Sequence, residues 1–572
     1  MSFVLSRSFG VSARGASRRS FVALSALAGL GLPVLAGCDL PGVSKDKGGS
    51  ASPSGSTASA GGSASASGPA KAGSTDWQKL DGHVMGHKVS VEVSPVIRQD
   101  ETSYIAVKLT RASDDASIDA VNAHPFSDNN NRVVLSSYLG APTIFRPGAG
   151  ADLVKLLDTG SGRVWSAVDG SGLFLELAPG EDMTSYLSFG KVDTDTVTVM
   201  VPMAGFTTVS VLDANDAKKA GINLTTAKQE LAKWPNAITK NTAPVAIERY
   251  TRALDDSTST HAGGKDITVT LASDVTFASD SADLTSAADA QLKTVSAQLA
   301  QYPDGGTLSI VGHTDDVQDD AYNQTLSEKR ANAVKTRLEQ LTSLDKWQTS
   351  VSGKGESEPK INDTSDQARA ANRRVEITLT PTGGTTPKGS SSTATPSTSG
   401  GGKLPDPQGP VAKGPEGVTL SPKSGDTSGE VTITLDHVTR SGGYLLGTVT
   451  CTVKDGSTGA QLHPLLQDPQ TALSNQRDED SSAFVTQFAS DGLTLLSNGE
   501  RVFPADYNDA YNKQHLPLTE LNLSDHLKTG TTTVCVVWPD PGGDTITLDH
   551  AKGKYSIPDT AYRLTDIPVK NS

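Results

Sequence analysis

The sequence predicts a multidomain protein in which two all-β, sandwich-like domains flank one α/β domain, with flexible linkers rich in Gly, Ser and Pro between them. The chain has 572 residues, too many for one hydrophobic core, yet only 36% are hydrophobic and 5% are aromatic. Both ends contain segments that alternate apolar and polar residues with the period of β-strands, whereas the middle alternates strand and helix patterns. Part of the length is therefore linker, and three segments fold.

Residues 1–37 have the pattern of an export signal. Basic residues precede an apolar run from Phe21 to Leu35, which is too short for a membrane-spanning helix. The stretch SRRSFV resembles a twin-arginine motif, although basic residues suit any export route. The stretch VLAGC resembles a lipobox, in which Cys38 becomes the lipidated, palmitate-bearing N-terminus. An ordinary cleaved signal with an incidental cysteine is the alternative. We expect a lipid-anchored protein on the extracytoplasmic face of the cell membrane.

Two segments have the composition of flexible connections. Residues 38–75 are dominated by Gly, Ser and Ala, and residues 381–415 by Gly, Ser, Thr and Pro, so neither can bury a core. The expected folded units are an N-terminal β domain at 76–250, a central α/β domain at 265–380 and a C-terminal β domain at 416–572. The two β domains contain similar stretches, LVKLLDTGSGRVWSAVDG and LTLLSNGERVFPADYN, which either an internal duplication or chance explains.

Two cysteines could form a disulfide in the C-terminal domain. With Cys38 assigned to lipid, Cys451 and Cys535 remain, both within strand patterns. An oxidising compartment favours a disulfide between them, and such a long loop would stabilise the domain by about 4–5 kcal/mol in the chain-entropy model. Two separate buried thiols are the alternative, because sequence gives no pairing geometry.

The central segment alternates strands and helices. DITVTLASDVTF predicts a strand and SAADAQLKTVSAQLAQY a helix with Ser286 as its N-cap, followed by the short strand TLSIVG. A second helix is expected to start near Ser327, which places Arg330 in its first turn. The strands QTSVSGKG and RRVEITLT complete a βαβαβ unit with one further strand, a compact sandwich with helices on one side of the sheet.

Four ordered blocks within Asp266 to Thr380 resemble the OmpA-like peptidoglycan-binding domain of the OmpA/MotB C-terminal type. After the segment DVTFASDSADLT come GHTD, YNQTLSEKRANAV, GKGESEP and ANRRVEI. The resemblance implies capture of a peptidoglycan stem peptide through its diamino acid, typically diaminopimelate. It further implies that Asp315 pairs with the ammonium group of that ligand and Arg330 with its carboxylate. The pocket would be completed by Thr314, Asn323 and Arg373.

The residue chemistry is consistent with these roles. A zwitterionic ligand needs one fixed anion and one fixed cation, and the planar fork of arginine bonds a carboxylate twice. A cation in the first turn of a helix opposes the helix dipole, which suggests an anionic partner for Arg330. That partner is either a ligand or, alternatively, a carboxylate of the same loop, such as Asp315 or Asp316.

Other features of this loop have simpler explanations. The family usually has Gly where this sequence has Gln318, which leaves the diamino acid of the wall undecided, because a lysine-type wall lacks the second carboxylate. Asp316, Asp319 and Asp320 match no calcium-loop spacing and indicate a solvated acidic loop. His313 is interpreted as a turn residue, because no nucleophile or second ligand accompanies it.

Charge and motifs limit the function classes. A net charge of −14 and a pI near 5.2 argue against nucleic acid as a partner. No catalytic motif such as G-x-S-x-G or H-E-x-x-H occurs, and we expect no enzyme activity, no cofactor and no metal. The sequence therefore favours a cell-envelope protein that links membrane to cell wall without turnover. The alternatives are an adhesion or assembly protein whose β domains bind envelope proteins, and a wall-targeted enzyme.

Overall fold

The structure, a computed structural model, describes most of the chain after residue 69. The predicted signal peptide, Cys38 and nearly all of the predicted tether at 38–75 lie outside the described residues, as does the part of the predicted linker at 385–403. The described ranges are 70–121, 131–139, 151–170, 175–233, 243–384, 404–421, 429–454, 456, 459–467, 489–497, 499–509, 514–523, 526–552 and 560–572. Among the helices of these ranges, none combines the length and hydrophobicity needed to cross a membrane.

The N-terminal region is mostly β, as expected. Its long strands bury every second residue, for example in Gln78–Val84 and His87–Val93, which pair as a hairpin. The elements are β1 (Gln78–Val84), β2 (His87–Val93), β3 (Val96–Gln99), β4 (Thr102–Arg111), α1 (Ile118–Val121), β5 (Val133–Val134), α2 (Ser136–Leu139), β6 (Lys155–Asp158), β7 (Arg163–Ser166), β8 (Asp169–Gly170), β9 (Glu176–Leu177), β10 (Asp182–Gly190), β11 (Thr196–Val201), β12 (Gly205–Asp213) and α3 (Leu224–Ala232).

The central region forms one sheet covered by helices. Its elements are β13 (Val245–Ala253), β14 (Thr258–Gly263), β15 (Asp266–Ala272), α4 (Ser273–Thr276), α5 (Ala288–Ala300), β16 (Gly306–Gly312), α6 (Asp320–Leu341), β17 (Trp347–Gly353), α7 (Asp366–Asn372) and β18 (Arg374–Pro381). The strand order is β13-β14-β15-β18-β16-β17, in which only β16 and β17 are parallel. Apolar residues of β15, β16 and β18 pack with those of α5 and α6 in a core of their own.

Most of the expected order is confirmed here, with four corrections. The first strand ends at Ala272, and α4 follows it. A short helix, α7, precedes the last strand. Ser286 is not the N-cap of α5, because the helix begins at Ala288 and Ala287 occupies the N-cap position.

The start of α6 is also different from the expectation, and this changes the position of Arg330. The Asp319 side chain accepts the Tyr322 N–H at 2.9 Å, so the helix begins at Asp320 rather than near Ser327. Arg330 lies ten positions beyond that first residue, well inside the helix. Arg330 is therefore not a cation in a first turn, and the helix dipole does not call for an anionic partner there. The role of Arg330 depends on its surroundings instead.

The C-terminal region is again mostly β. Its longest pairing joins two ten-residue strands, Tyr444–Val453 and Gly530–Pro539. The elements are β19 (Val411–Lys413), β20 (Val418–Leu420), β21 (Val431–Thr434), β22 (Val438–Ser441), β23 (Tyr444–Val453), β24 (Ala460–Gln461), α8 (His463–Leu466), β25 (Thr494–Ser497), β26 (Glu500–Val502), β27 (Asp506–Asp509), β28 (Gln514–Pro517), β29 (His526–Leu527), β30 (Gly530–Pro539), β31 (Thr545–His550) and β32 (Tyr562–Asn571).

The N-terminal and C-terminal β regions share one hydrophobic core, and we call the two together the β body. Buried residues from Leu80 to Ile567 belong to a single cluster. Polar contacts also cross between the regions: the Met203 N–H donates to Glu520 Oε2 at 2.8 Å, and the Met85 N–H donates to Thr532 Oγ1 at 3.1 Å. Two regions separated in sequence by the whole central segment are thus packed as one body.

The expected disulfide is not formed, and Cys451 and Cys535 are both free and buried. The register of β23 and β30 explains this, because Cys535 lies opposite Thr448 and Cys451 lies opposite Thr532. An offset of three residues puts the two side chains on opposite faces of the sheet. Cys451 accordingly belongs to the large shared core, and Cys535 to a second, smaller cluster. Burial raises the pKa of both thiols, that of Cys451 to about 12.

Candidate functional site

The residues of the proposed cleft lie where β16 ends and α6 begins. The helix approaches the ends of β16 and β17 closely, because Gly312 and Gly353 both face Ser327 at positions where a side chain would collide with it. The Ser327 hydroxyl accepts the Gly355 N–H at 3.0 Å, and the Thr314 N–H donates to Gly355 O at 2.9 Å. These contacts fix the loop of residues 313–319 between helix and sheet.

Asp315 and Arg373 form an ion pair within the protein. Arg373 Nη1 lies 2.6 Å from Asp315 Oδ2, while its Nε and Nη2 hold both oxygens of Asp274 at 2.7 and 2.6 Å. The hydrogen bonds to Asp274, which outweigh burial, and the bond to Asp315 raise the pKa of Arg373 above its usual value. The Asp315 atom Oδ1 accepts only a long bond, 3.4 Å from the Val317 N–H, among the residues that the structure describes. One oxygen of Asp315 is thus paired and the other is weakly engaged.

Arg330 is buried without a carboxylate partner. Its Nε donates to Ser281 O at 3.0 Å, and the guanidinium carbon lies 5.2 Å from the centroid of the Phe277 ring. Across the described ranges, no carboxylate lies within ion-pair distance of it. Burial lowers the pKa of Arg330, and the charge of Arg373 adds to this, whereas Asp274, Asp280 and Asp315 oppose it. The internal Asp315–Arg330 ion pair considered from sequence is not formed.

Thr314 and Asn323 lie beside these charges. Thr314 is buried, and its hydroxyl oxygen has no hydrogen-bond partner among the described residues. The Asn323 amide nitrogen donates to Asp315 O at 3.2 Å, Gln318 O at 3.0 Å and Glu356 Oε2 at 2.6 Å. Asn323 therefore holds the acidic loop in place through Nδ2. Gln318 has no positive φ, which explains why the loop needs no glycine there.

Sequence reasoning missed the groups that surround Arg330. Asp274, Phe277 and Ser281 all come from the segment DVTFASDSADLT, which carried the resemblance but was assigned no side-chain role. Only the tertiary contacts of Arg330 on α6 with Phe277 and Ser281, which follow α4, bring this segment to the candidate site. Two large apolar side chains stand at the rim, Val317 with 60% and Tyr322 with 40% of their surface exposed.

The other polar residues of the loop have structural partners. Asp316 pairs with Arg369 at 2.7 Å, and Asp319 caps α6, so neither supports the calcium alternative. His313 is buried, which its interpretation as a turn residue did not anticipate. In the part of the chain that the structure describes, neither ring nitrogen has a hydrogen-bond partner, although Nε2 lies 3.9 Å from Glu376 Oε2. Burial and the neighbouring Arg374 lower the pKa of His313 to about 4. The imidazole is therefore neutral near pH 7.

Comparison with known proteins identifies this segment. Residues 276–373 match the OmpA family. The chain is 40% identical over 103 residues to outer membrane porin F of Pseudomonas aeruginosa, covering 18% of this chain and 29% of that protein. It is 34% identical to the probable lipoprotein YiaD of Escherichia coli, covering 21% of this chain and 53% of the relative.

Among solved structures, the cell wall anchor of the T6SS from Pseudomonas aeruginosa is 28% identical, with a TM-score of 0.20, covering 22% of this chain and 90% of that one. The chain spans about half or less of the length of these curated relatives. The central region is thus an OmpA-like domain, and its relatives include outer membrane proteins.

Proposed function

We propose that this protein binds peptidoglycan non-covalently through its OmpA-like domain and that it is held in the cell membrane by a lipid at Cys38. The ligand is the diamino acid of a stem peptide, with its carboxylate at Arg330 and its ammonium group at Asp315. The protein thus ties the membrane to the wall by binding, without chemical turnover.

The surroundings of Arg330 carry this proposal. A buried guanidinium without a carboxylate partner is unfavourable in a folded protein, because desolvation of the charge is not repaid. A ligand carboxylate would supply the missing anion and accept bonds from the two Nη atoms, which make no hydrogen bond within the described protein. A charge that costs stability in the free state and is compensated in the complex is typical of a binding site.

The pairing of Asp315 with Arg373 supports the second contact. Arg373 fixes the orientation of the Asp315 carboxylate through Oδ2. The other oxygen, Oδ1, is therefore held in place but accepts no strong hydrogen bond from the described residues. An ammonium group can approach that oxygen without breaking the ion pair. The exposed rim residues Val317 and Tyr322 would then contact the aliphatic chain of the ligand, which separates its two charged ends.

The membrane anchor makes modest affinity sufficient. A lipid at Cys38 and the tether that follows would keep the domain close to the wall, so that its effective local concentration is high. The β body then serves as a spacer or as a surface for envelope proteins.

A wall-binding assay with the full chain tests this function. Purified wall is sedimented with the protein and with two variants, Asp315→Asn and the matched control Asp316→Asn, whose carboxylate pairs with Arg369 on the surface. Asp315→Asn should weaken binding at least about tenfold, since a charge-assisted hydrogen bond is worth roughly 1.5–3 kcal/mol. Asp316→Asn should bind like the parent protein. Equal binding by all three, or no binding by the parent, would refute the proposal.

A further inference from the structure

Three residues from two separate parts of the sequence bring their side chains together at the edge of the OmpA-like domain. Glu248 lies on β13, His261 on the neighbouring strand β14, and His515 on β28 of the C-terminal region. Glu248 and His261 are half-buried, and His515 is nearly buried. None of them belongs to the peptidoglycan cleft described above.

Their ligand atoms converge on one point. Glu248 Oε2 lies 2.9 Å from His261 Nε2 and 2.9 Å from His515 Nε2, and all three atoms lie within 4.8 Å of one another. The two imidazole rings meet edge to face, with their centroids 6.3 Å apart. An ion bonded to all three at about 2.0–2.2 Å needs ligand atoms at most about 4 Å apart, so small side-chain rotations suffice.

The backbone leaves room for this arrangement. A Cβ atom at Gly263 would lie 2.7 Å from Glu248 Cγ and 3.2 Å from its Oε1, so the glycine provides the space that the glutamate occupies. His261 is the most open of the three, with 33% of its side chain exposed, and the site is accessible to solvent from that side.

We propose that Glu248, His261 and His515 form a binding site for a divalent transition-metal ion, with Zn²⁺ as the best match. Two imidazoles and one carboxylate are a ligand set that zinc uses in proteins, whereas Mg²⁺ and Ca²⁺ prefer oxygen ligands alone. Three protein ligands leave a fourth coordination position, which water takes on the exposed side of His261.

The position of the site indicates its role. β13 pairs with β14, at the edge of the OmpA-like sheet, and also with β7, β26 and β27 of the β body. An ion held by β13, β14 and β28 would connect these two parts through strong, directional bonds. The site thus reinforces the junction between the wall-binding domain and the β body.

The metal-free alternative is a hydrogen-bonded trio in which both imidazoles donate to one glutamate oxygen. Burial alone would raise the pKa of Glu248, but the hydrogen bonds from His261 and His515 lower it to about 2, so the carboxylate is anionic with or without an ion. The metal site and the metal-free trio place the same three side chains together, so only a direct measurement of metal binding distinguishes them.

Calorimetry on the untagged full chain, stripped of metal by a chelator, provides this test. ZnCl₂ should bind with one equivalent per chain and raise the melting temperature, and Co²⁺ should give the visible absorption bands of a four-coordinate site. The variant His261→Gln/His515→Gln should bind at least about 100-fold more weakly, since even the loss of an outer-shell partner costs 10–100-fold.

Two controls separate this site from general histidine binding and from misfolding. His437→Gln removes a surface histidine that pairs with Asp436, and it should leave zinc binding unchanged. Glu248→Gln keeps an acceptor for both histidines while removing the anionic ligand, so it tests the same site if the double variant does not fold. The proposal is overturned if the parent chain binds no stoichiometric zinc, or if its zinc affinity survives both His261→Gln/His515→Gln and Glu248→Gln.

Discussion

The OmpA-like domain and the β body are assembled in different ways. The core of the OmpA-like domain comes from one continuous stretch, from Ala262 to Leu379. The main core of the β body joins residues from Leu80 to Ile567, across the whole central segment. Because the OmpA-like domain folds from one continuous stretch, its site residues keep short, recognisable spacings in the sequence. The β body instead depends on pairing between strands that are far apart in the sequence, and such pairing leaves no sequence motif. The two parts should therefore respond separately to perturbation.

The largest expected effect comes from Trp538, at the centre of the β body. Its ring is fully buried and packs against Gly447, and its Nε1 donates to Leu493 O at 2.6 Å. Trp538→Ala should destabilise the β body by about 3–5 kcal/mol. Hydrogen exchange followed by mass spectrometry should show faster exchange in β23 and β30, with little change in α6. Equal loss of protection in α6 would show that the two parts unfold as one.

A smaller effect, dependent on pH, is expected in the β body at Glu520. Burial raises the pKa of this carboxyl group to about 8, although hydrogen bonds from backbone N–H groups, including that of Met203, oppose the shift. The folded state therefore holds a proton that the unfolded chain releases above about pH 4.5, and stability falls as pH rises from there to about 8.

Glu520→Gln keeps the acceptor for Met203 and cannot ionise, which isolates this effect. The melting temperature of the variant should exceed that of the parent by a margin that grows between pH 5 and pH 8. In free energy of unfolding, the difference between the two proteins should grow by up to roughly 1.4 kcal/mol per pH unit. A margin that stays constant with pH would contradict the assignment.

The OmpA-like domain should show the opposite dependence through His313. Because its pKa is lowered to about 4 from 6.5, the unfolded chain binds a proton more readily, and stability is lost as pH falls from about 6.5 to 4. His313→Gln should lose less stability than the parent over this interval. The stability of both proteins is measured at each pH from hydrogen exchange in α6. Parallel curves of stability against pH for the two proteins would refute the assignment to His313.

No effect at all is expected from reducing agents. Cys451 and Cys535 face opposite sides of the sheet, so no bond between them contributes to the stability of the β body. The melting temperature should be the same with and without dithiothreitol, and alkylation of the unreduced, unfolded chain should modify both residues. A fall of several degrees on reduction would mean that the strand register is wrong.

The sequence predicted the OmpA-like domain because its helices and strands are local patterns and its site residues lie in ordered blocks. It misplaced the start of α6 because Asp319, one of several acidic residues in the loop, is the one that caps the helix. It could not show that Asp315 pairs with Arg373 rather than Arg330, since both arginines come near only through tertiary packing. Strand register, which no local pattern specifies, determines the three-residue offset between Cys451 and Cys535. It also determines the contact between Glu248 and His515.

The most direct test of the account concerns what Arg330 recognises. Calorimetry with the full chain compares a stem peptide containing diaminopimelate with the same peptide containing lysine, which lacks the second carboxylate. The parent protein should bind the diaminopimelate peptide at least about tenfold more tightly than the lysine peptide. Arg330→Met should bind both peptides equally weakly while keeping its stability. Arg337→Met, which loses surface contacts with Asp289 and Gln340, should retain the preference. A parent protein without preference, or a preference that survives in Arg330→Met, would show that Arg330 does not bind the second carboxylate.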